Sequence, residues 1–347
     1  MIKKINKPPI CVTMGDPSGI SGEIILKTWM DRNKEKLSPF FIIDDTKRLE
    51  TVAKKFKIKV KMKSLRNLSD TDNLFQNYLP VLDINKAMKI NLGKPDYLDS
   101  KYVLFSIEKA VQLALRKEVR AIVTNPVSKE MLIKYGFKFN GQTEFICHLV
   151  SKYFKQTFNE IMILSTSKPE DKSSNLITGL VTTHIPFKDI SRDLTKNLII
   201  SKTKSFIETL KSFWKIKNPR IGICSLNPHT GESGLIGKEE KEIIIPAIKR
   251  LKKDNVNIFG PLSPDSCFSY HFRNKYDGII CMYHDQALIP VKTLDFFNSV
   301  NITGGLPIIR TSPDHGPAFN IAKKSEANYQ SILSSIKLAD KLSDEEV

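Results

Sequence analysis

The sequence predicts the α/β class, built of βαβ units around a mostly parallel sheet. Two observations carry that expectation. Short apolar, β-branched runs recur along the 347 residues, and each is followed by a polar loop containing Gly or Pro. After each loop comes an amphipathic, lysine-rich stretch with apolar residues three or four apart, which is helical spacing. The length suits two domains or one large one.

The strands are expected at "ICVTM" (10–14), "FFIID" (40–44), "AIVT" (121–124), "IMILS" (161–165), "LITGLVTT" (176–183), "RIGICSL" (220–226) and "GIICMY" (278–283). The helices are expected over 101–118, 193–214 and 238–254. "SKPEDKSSN" (167–175) is a polar excursion between two strands, and the acidic tail "SDEEV" is expected to fray. No internal repeat or low-complexity segment occurs.

Charge and composition narrow the function classes. The formal net charge is +17, but the lysines are spread along the chain without an arginine-rich arm or interleaved aromatics, which argues against nucleic acid as the partner. A lysine-rich surface instead attracts small anionic substrates. No apolar run approaches the roughly 20 residues that span a bilayer, so no membrane partner is expected. The first residues, "MIKKINKPPICVTMGD", lack the apolar length and cleavage site of a signal peptide. Cys11, Cys147, Cys224, Cys267 and Cys281 form no CxxC pair and sit mostly in apolar runs, as buried thiols of a reducing, cytoplasmic compartment would.

In open parallel sheets ligands bind beyond the carboxyl ends of the strands. Three of the six histidines, His184, His229 and His284, stand just past the ends of three expected strands. Each could be an ordinary hydrogen-bonded residue, or the three could converge on one point as imidazole ligands of a catalytic metal. His148 and His271 read as ordinary residues. Gly15, Gly19 and Gly22 in "GDPSGISGE" do not form the GxGxxG fingerprint, no phosphate loop of the GxxxxGK[ST] type occurs, and these glycines read equally as a turn or as a ligand contact. Residues 300–322 are rich in Gly, Pro, Asn and Asp and read as a long ordered or functional loop. Within it Arg310 lies among Ile308, Ile309 and Thr311, where a buried guanidinium needs an anionic partner.

The blocks "VTMGDPSGI", "TNPVSK", "GQTEF", "TTHIPFKDI", "NPHTGESGLIGKEE", "GPLSPD", "YDGIICMYHDQALIPVK" and "VNITGGLPIIRTSPDHGPA" follow one another from about residue 10 to about residue 322. In these the chain resembles the 4-hydroxythreonine-4-phosphate dehydrogenases of pyridoxal phosphate biosynthesis. The resemblance implies a fold like that of isocitrate and isopropylmalate dehydrogenases, with two α/β/α lobes, a cleft between them and a homodimer that completes each site. The lobes are expected at 1–125 with about 285–347, and at about 126–284.

The resemblance also implies roles. His184, His229 and His284 would bind one divalent ion, with one imidazole from the partner subunit; softness favours zinc, with magnesium or cobalt as alternatives. Gln142, Thr143, Lys292, Asn301 and Arg310 would contact a phosphorylated small-molecule substrate. Asp285 would orient a ligand or take a proton, and Lys292 and Arg310 would hold the substrate's anionic ends. The turn after strand 278–283 would carry Lys292 to the substrate. "DHGPAFNIA" (314–322), with His315, Gly316 and Ala318, is similar to an adenosine-side loop for NAD or NADP. The implied reaction oxidises the C3 hydroxyl of 4-phosphooxy-L-threonine and then releases CO2, giving 3-amino-2-oxopropyl phosphate.

Two departures stand out. Gln142 occupies a position where the family has histidine, and an amide cannot become cationic. "KKSEAN" replaces a Gly-rich continuation after Ala322. Gln142 keeps a sister activity on D-erythronate or D-threonate 4-phosphate in view, and a non-catalytic basic binding protein is the remote alternative.

Overall fold

The computed structural model describes residues 7–344 except 87 and 89, so residues 1–6 of the N-terminal stretch and 345–347 of the acidic tail lie outside the described residues. The chain forms two compact units, Met1–Gln156 with Ile308–Val347, and Thr157–Pro307. Twelve strands occur in chain order: β1 (Ile10–Thr13), β2 (Phe40–Asp44), β3 (Met62–Ser64), β4 (Leu79–Asp83), β5 (Ala121–Val123), β6 (Ile161–Ser165), β7 (Ile177–Leu180), β8 (Ile221–Cys224), β9 (Ile258–Leu262), β10 (Gly278–Cys281), β11 (Val300–Gly304) and β12 (Arg310–Pro313).

In the first unit the strand order is β3-β4-β2-β1-β5-β12, and every pairing is parallel. Parallel strands joined by helical crossovers are covered on both faces, so they read as continuous apolar runs; β1 and β2 are buried at every residue. Ile10, Val12, Phe40 and Ile42 meet Ile24, Leu49 and Val52 from the helices Ser21–Met30 and Thr46–Lys55, and Ile332 and Ile336 from Gln330–Ser343. Asp45 caps the helix Thr46–Lys55 by accepting from Arg48 N at 2.8 Å.

In the second unit the order is β11-β6-β7-β10-β8-β9. Strand β6 runs antiparallel to both its neighbours, and the remaining pairings are parallel. Leu164, Leu180, Cys224, Ile279 and Cys281 form a core with Ala287 and Val291.

The structure corrects four expectations. The unit boundaries fall at 156/157 and 307/308 rather than 125/126 and 284/285, because the helix Gln142–Phe154 packs on the helix Ser100–Leu115 and the helix His284–Leu294 packs on β6, β7 and β10. Residues 284–294 are a helix, despite Pro290, and Lys292 rides on its last turn rather than on a loop. Residues 300–322 are not one loop, since β11 and β12 occupy part of them. Several expected strands also end early: 176–183 stops at Leu180 and 278–283 at Cys281.

All five cysteines are buried free thiols. Among the described residues no helix is long and apolar enough to cross a membrane.

Candidate active site

In the second unit β7, β10 and β8 are neighbours and parallel, so their carboxyl ends lie along one edge. His184 follows β7, His284 follows β10 and His229 follows β8. The rings of His184 and His284 lie 5.7 Å apart between centroids, tilted by 46°. His284 opens its helix, and its Nδ1 is 2.7 Å from Asp285 Oδ1. A carboxylate on one ring nitrogen fixes the tautomer and leaves Nε2 with its lone pair available to a ligand.

Beneath this pair, Gln286 is buried and braces two strand ends. Its Oε1 accepts from Met282 N at 2.7 Å and its Nε2 donates to Ser225 O at 2.8 Å, tying the end of β10 to the end of β8. Helical spacing puts His284, Leu288 and Lys292 along one face. Lys292 Nζ lies 3.4 Å from Phe296 O and 5.0 Å from that residue's ring centroid. Asn301, on β11, has a buried Oδ1 without a hydrogen-bond partner among the described residues.

His229 is held differently. It begins a run of five residues, His229 to Ser233, with φ between 40 and 76°, a left-handed turn in which only Gly231 is a glycine. Each non-glycine residue there costs roughly 1–2 kcal/mol, so other contacts must hold the run. His229 lines a groove of about 500 Å³ with Phe187, Tyr283 and Asp265, which neither His184 nor His284 lines. Among the described residues no three His, Cys, Asp or Glu side chains converge as a metal site would require. The structure therefore brings His184 and His284 together and leaves His229 apart.

In the first unit Arg310 begins β12 with only 2% of its surface exposed. Its Nε and one terminal nitrogen donate to Thr124 Oγ1 at 3.0 and 2.6 Å, and the other terminal nitrogen to Thr143 Oγ1 at 3.4 Å. Burial lowers its pKa to about 10, partly offset by Glu144, so it stays cationic at neutral pH. Thr143 and Gln142 sit in the first turn of the helix Gln142–Phe154, whose N-cap, Gly141, supplies no capping side chain. A cation, a hydroxyl and an uncapped helix N-terminus together favour an anionic ligand. Gln142 Nε2 donates to Asn125 O at 3.4 Å, while Gln142 Oε1 and Asn125 Oδ1 are buried without hydrogen-bond partners among the described residues.

The segment 314–322 folds back on the N-terminal loop. Ile20 N donates to Pro317 O at 3.0 Å, and a Cβ on Gly19 would stand 2.7 Å from that same oxygen. Gly19 is thus required for a close backbone approach. His315 Nδ1 contacts Gly316 O at 3.0 Å, and Ala318 takes φ 47°, so the three expected cofactor residues lie on one tightly turned loop.

Sequence reasoning missed a buried charge cluster here. Arg48 and Asp44 are both fully buried and paired at 3.0 and 3.2 Å, and Arg48 also donates to Ser21 Oγ at 3.0 Å. Burial raises the nearby Asp16 carboxyl to about 6, against the opposing pull of Ser18 N and Arg48. An acid closing the apolar run "FFIID" was the available signal.

Comparison with known proteins places the chain in a family. Residues 35–339 match the family described as pyridoxal phosphate biosynthetic protein PdxA. A 4-hydroxythreonine-4-phosphate dehydrogenase of Zymomonas mobilis is 39% identical over 334 residues, 95% of this chain and 94% of that protein. One from Caulobacter vibrioides is 37% identical over 335 residues, 96% and 97% of the two chains. The crystal structure of 4-hydroxythreonine-4-phosphate dehydrogenase from Klebsiella pneumoniae shares the α/β fold with a TM-score of 0.84, at 31% identity, covering 97% of this chain and 100% of that one. With this extent of similarity along nearly the whole length, the chain belongs to the PdxA family of pyridoxal phosphate biosynthetic proteins.

Proposed function

We propose that this chain is an NAD(P)-dependent dehydrogenase that oxidises 4-phosphooxy-L-threonine at C3 and releases CO2 to give 3-amino-2-oxopropyl phosphate, in pyridoxal 5'-phosphate biosynthesis. The observation that carries the reading is the buried guanidinium of Arg310 beside Thr143 at an uncapped helix start, an arrangement suited to a phosphate ester. Relatives named for a 4-phosphate substrate span almost the full chain.

Arg310, Thr143 and Gln142 bind the phosphate in this reading, and Lys292 and Asn301 bind the rest of the substrate. His184 and His284 supply two ligands to one divalent ion, and the tautomer set by Asp285 suits that use. The third ligand is His229 of a second copy in a homodimer. Its segment carries Leu235 at 85% exposure and Ile236 at 40%, apolar surface that a second copy would cover. The donor set fits zinc or cobalt better than magnesium. Such an ion, when bound, makes a coordinated hydroxyl more acidic and stabilises negative charge on a neighbouring oxygen. His315, Gly316 and Ala318 hold the adenosine side of NAD or NADP, whose nicotinamide carries the hydride chemistry. Asp285 keeps the Nδ1 proton of His284 in place, so the ring presents Nε2 throughout.

Gln142, an amide where the family has histidine, keeps a second reading in view, in which the substrate is D-erythronate or D-threonate 4-phosphate. NAD(P)H formation with metal-replete protein tests both. Clear preference for 4-phosphooxy-L-threonine supports the first reading, preference for either sugar-acid phosphate replaces it with the second, and silence with all of them refutes both.

A further inference from the structure

The left-handed turn that carries His229 has an unfavourable backbone, and a buried carboxylate is bonded at its entry. Glu240 is only 3% exposed, at the start of a short π-helical turn Glu240–Ile244. Its Oε1 accepts from Leu226 N and Asn227 N, both at 2.8 Å, and its Oε2 accepts from Asn227 Nδ2 at 2.9 Å. Those donors belong to the two residues that lead into the turn. The same Oε2 reaches the middle of the turn, since a Cβ on Gly231 would stand 2.6 Å from it. Asn227 Nδ2 also donates to Glu239 Oε2 at 2.8 Å, and Ile236 N closes the turn onto Gly231 O at 3.1 Å.

We infer that Glu240 is a positioning residue for His229: one buried carboxylate anchors the entry of the left-handed turn, lies packed against its centre at Gly231, and so fixes where the imidazole stands. A carboxylate bound by two backbone N–H groups is a short, directional anchor. Removing it frees the five residues to relax toward right-handed backbone, which swings His229 away while β8 stays in place. The inference rests on the reading of His229 as a metal ligand, and it assigns a role to a residue that touches neither substrate nor ion.

The test uses full-length protein reconstituted with cobalt(II), reading the ligand-field absorption spectrum and the cobalt dissociation constant, with dimer content and thermal midpoint measured for every variant. Glu240→Ala is expected to weaken cobalt binding by about 10–100-fold and to alter the spectrum, as loss of a residue that orients a ligand does. Glu240→Gln keeps an oxygen for Leu226 N and Asn227 N and is expected to recover most of the affinity. Gly231→Ala places a methyl group against Oε2 and is expected to reproduce the alanine phenotype with the carboxylate intact, which preserves the test if Glu240→Ala does not fold.

A lowered thermal midpoint with wild-type cobalt affinity and spectrum in Glu240→Ala or in Gly231→Ala would overturn the inference, because it would mean a purely structural role. His229→Ala separates the two levels of the argument. If it abolishes tight cobalt binding while the Glu240 and Gly231 variants bind normally, positioning by Glu240 is wrong and the ligand reading stands. If it binds cobalt like wild type, the ligand reading fails and takes this inference with it.

Discussion

Arg310 and His229 are held in opposite ways. Arg310 is 2% exposed, begins a strand inside a parallel sheet and spends its donors on Thr124 and Thr143. His229 is exposed, on a turn whose backbone is itself unfavourable. A pocket for a phosphate needs a desolvated, preorganised cation, and one chain can build that from its own core. In the proposed reading, a ligand that reaches a second copy projects from the surface, trading burial for strain, with Glu240 as its anchor. The two regions should therefore respond differently to mutation.

The most decisive way to break the comparison is to mix two inactive proteins. His184→Ala and His229→Ala homodimers should each be inactive. After unfolding and joint refolding, random pairing should restore about a quarter of wild-type NAD(P)H formation, because half the dimers regain one of two sites. Persistent inactivity would mean that the imidazoles do not come from two chains.

Arg310→Met removes the buried cation, and kcat/KM should fall roughly a thousandfold, about 4 kcal/mol, within the range for truncating a buried charge partner. Steady-state kinetics on the phosphorylated substrate would show it, and no rescue by mixing with His229→Ala beyond one intact site per dimer is expected. Asp285→Asn keeps His284 but changes its hydrogen-bond partner from a carboxylate to an amide. Cobalt affinity should drop about 10–100-fold, with a smaller loss of activity at saturating metal.

The smallest effect concerns the first unit's interior. Asp16 is raised from 3.8 to about 6, so the folded state binds its proton more tightly than the unfolded chain does. Stability should be greatest below about pH 4 for this group and fall by roughly 2–3 kcal/mol as pH rises through about 6. Asp16→Asn should remove that slope, read as the difference between the two proteins' urea midpoints across pH 4–7.

The parallel architecture was legible because buried strands such as "FFIID" and "AIVT" are continuous apolar runs; the first was placed at the residues observed and the second ends one residue earlier than expected. His184 and His284 were legible as residues past strand ends, and Arg310 as a cation in an apolar setting. The helix His284–Leu294 was not, since it opens with four polar or aromatic residues from Tyr283 and contains Pro290. β11 and β12 were hidden because their buried positions include Thr303, Arg310, Thr311 and Ser312, polar residues that a periodicity argument assigns to loops. Glu240 was the least visible. In "GKEEKE" nothing local distinguishes a buried anchor from a solvated charge run, and the distinction arises only when Leu226 and Asn227 arrive from elsewhere in the fold.

The reversed direction of β6 has a practical consequence. Ser165, its last residue, pairs with Ile177 and Val300, the first residues of β7 and β11, so the segment 166–176 emerges at the amino edge of the second unit's sheet. His184, His229 and His284 stand past the strand ends at the opposite edge. Lys172 is exposed on that segment, which makes it a place for a fluorescent reporter or a surface tether that leaves the chemistry untouched.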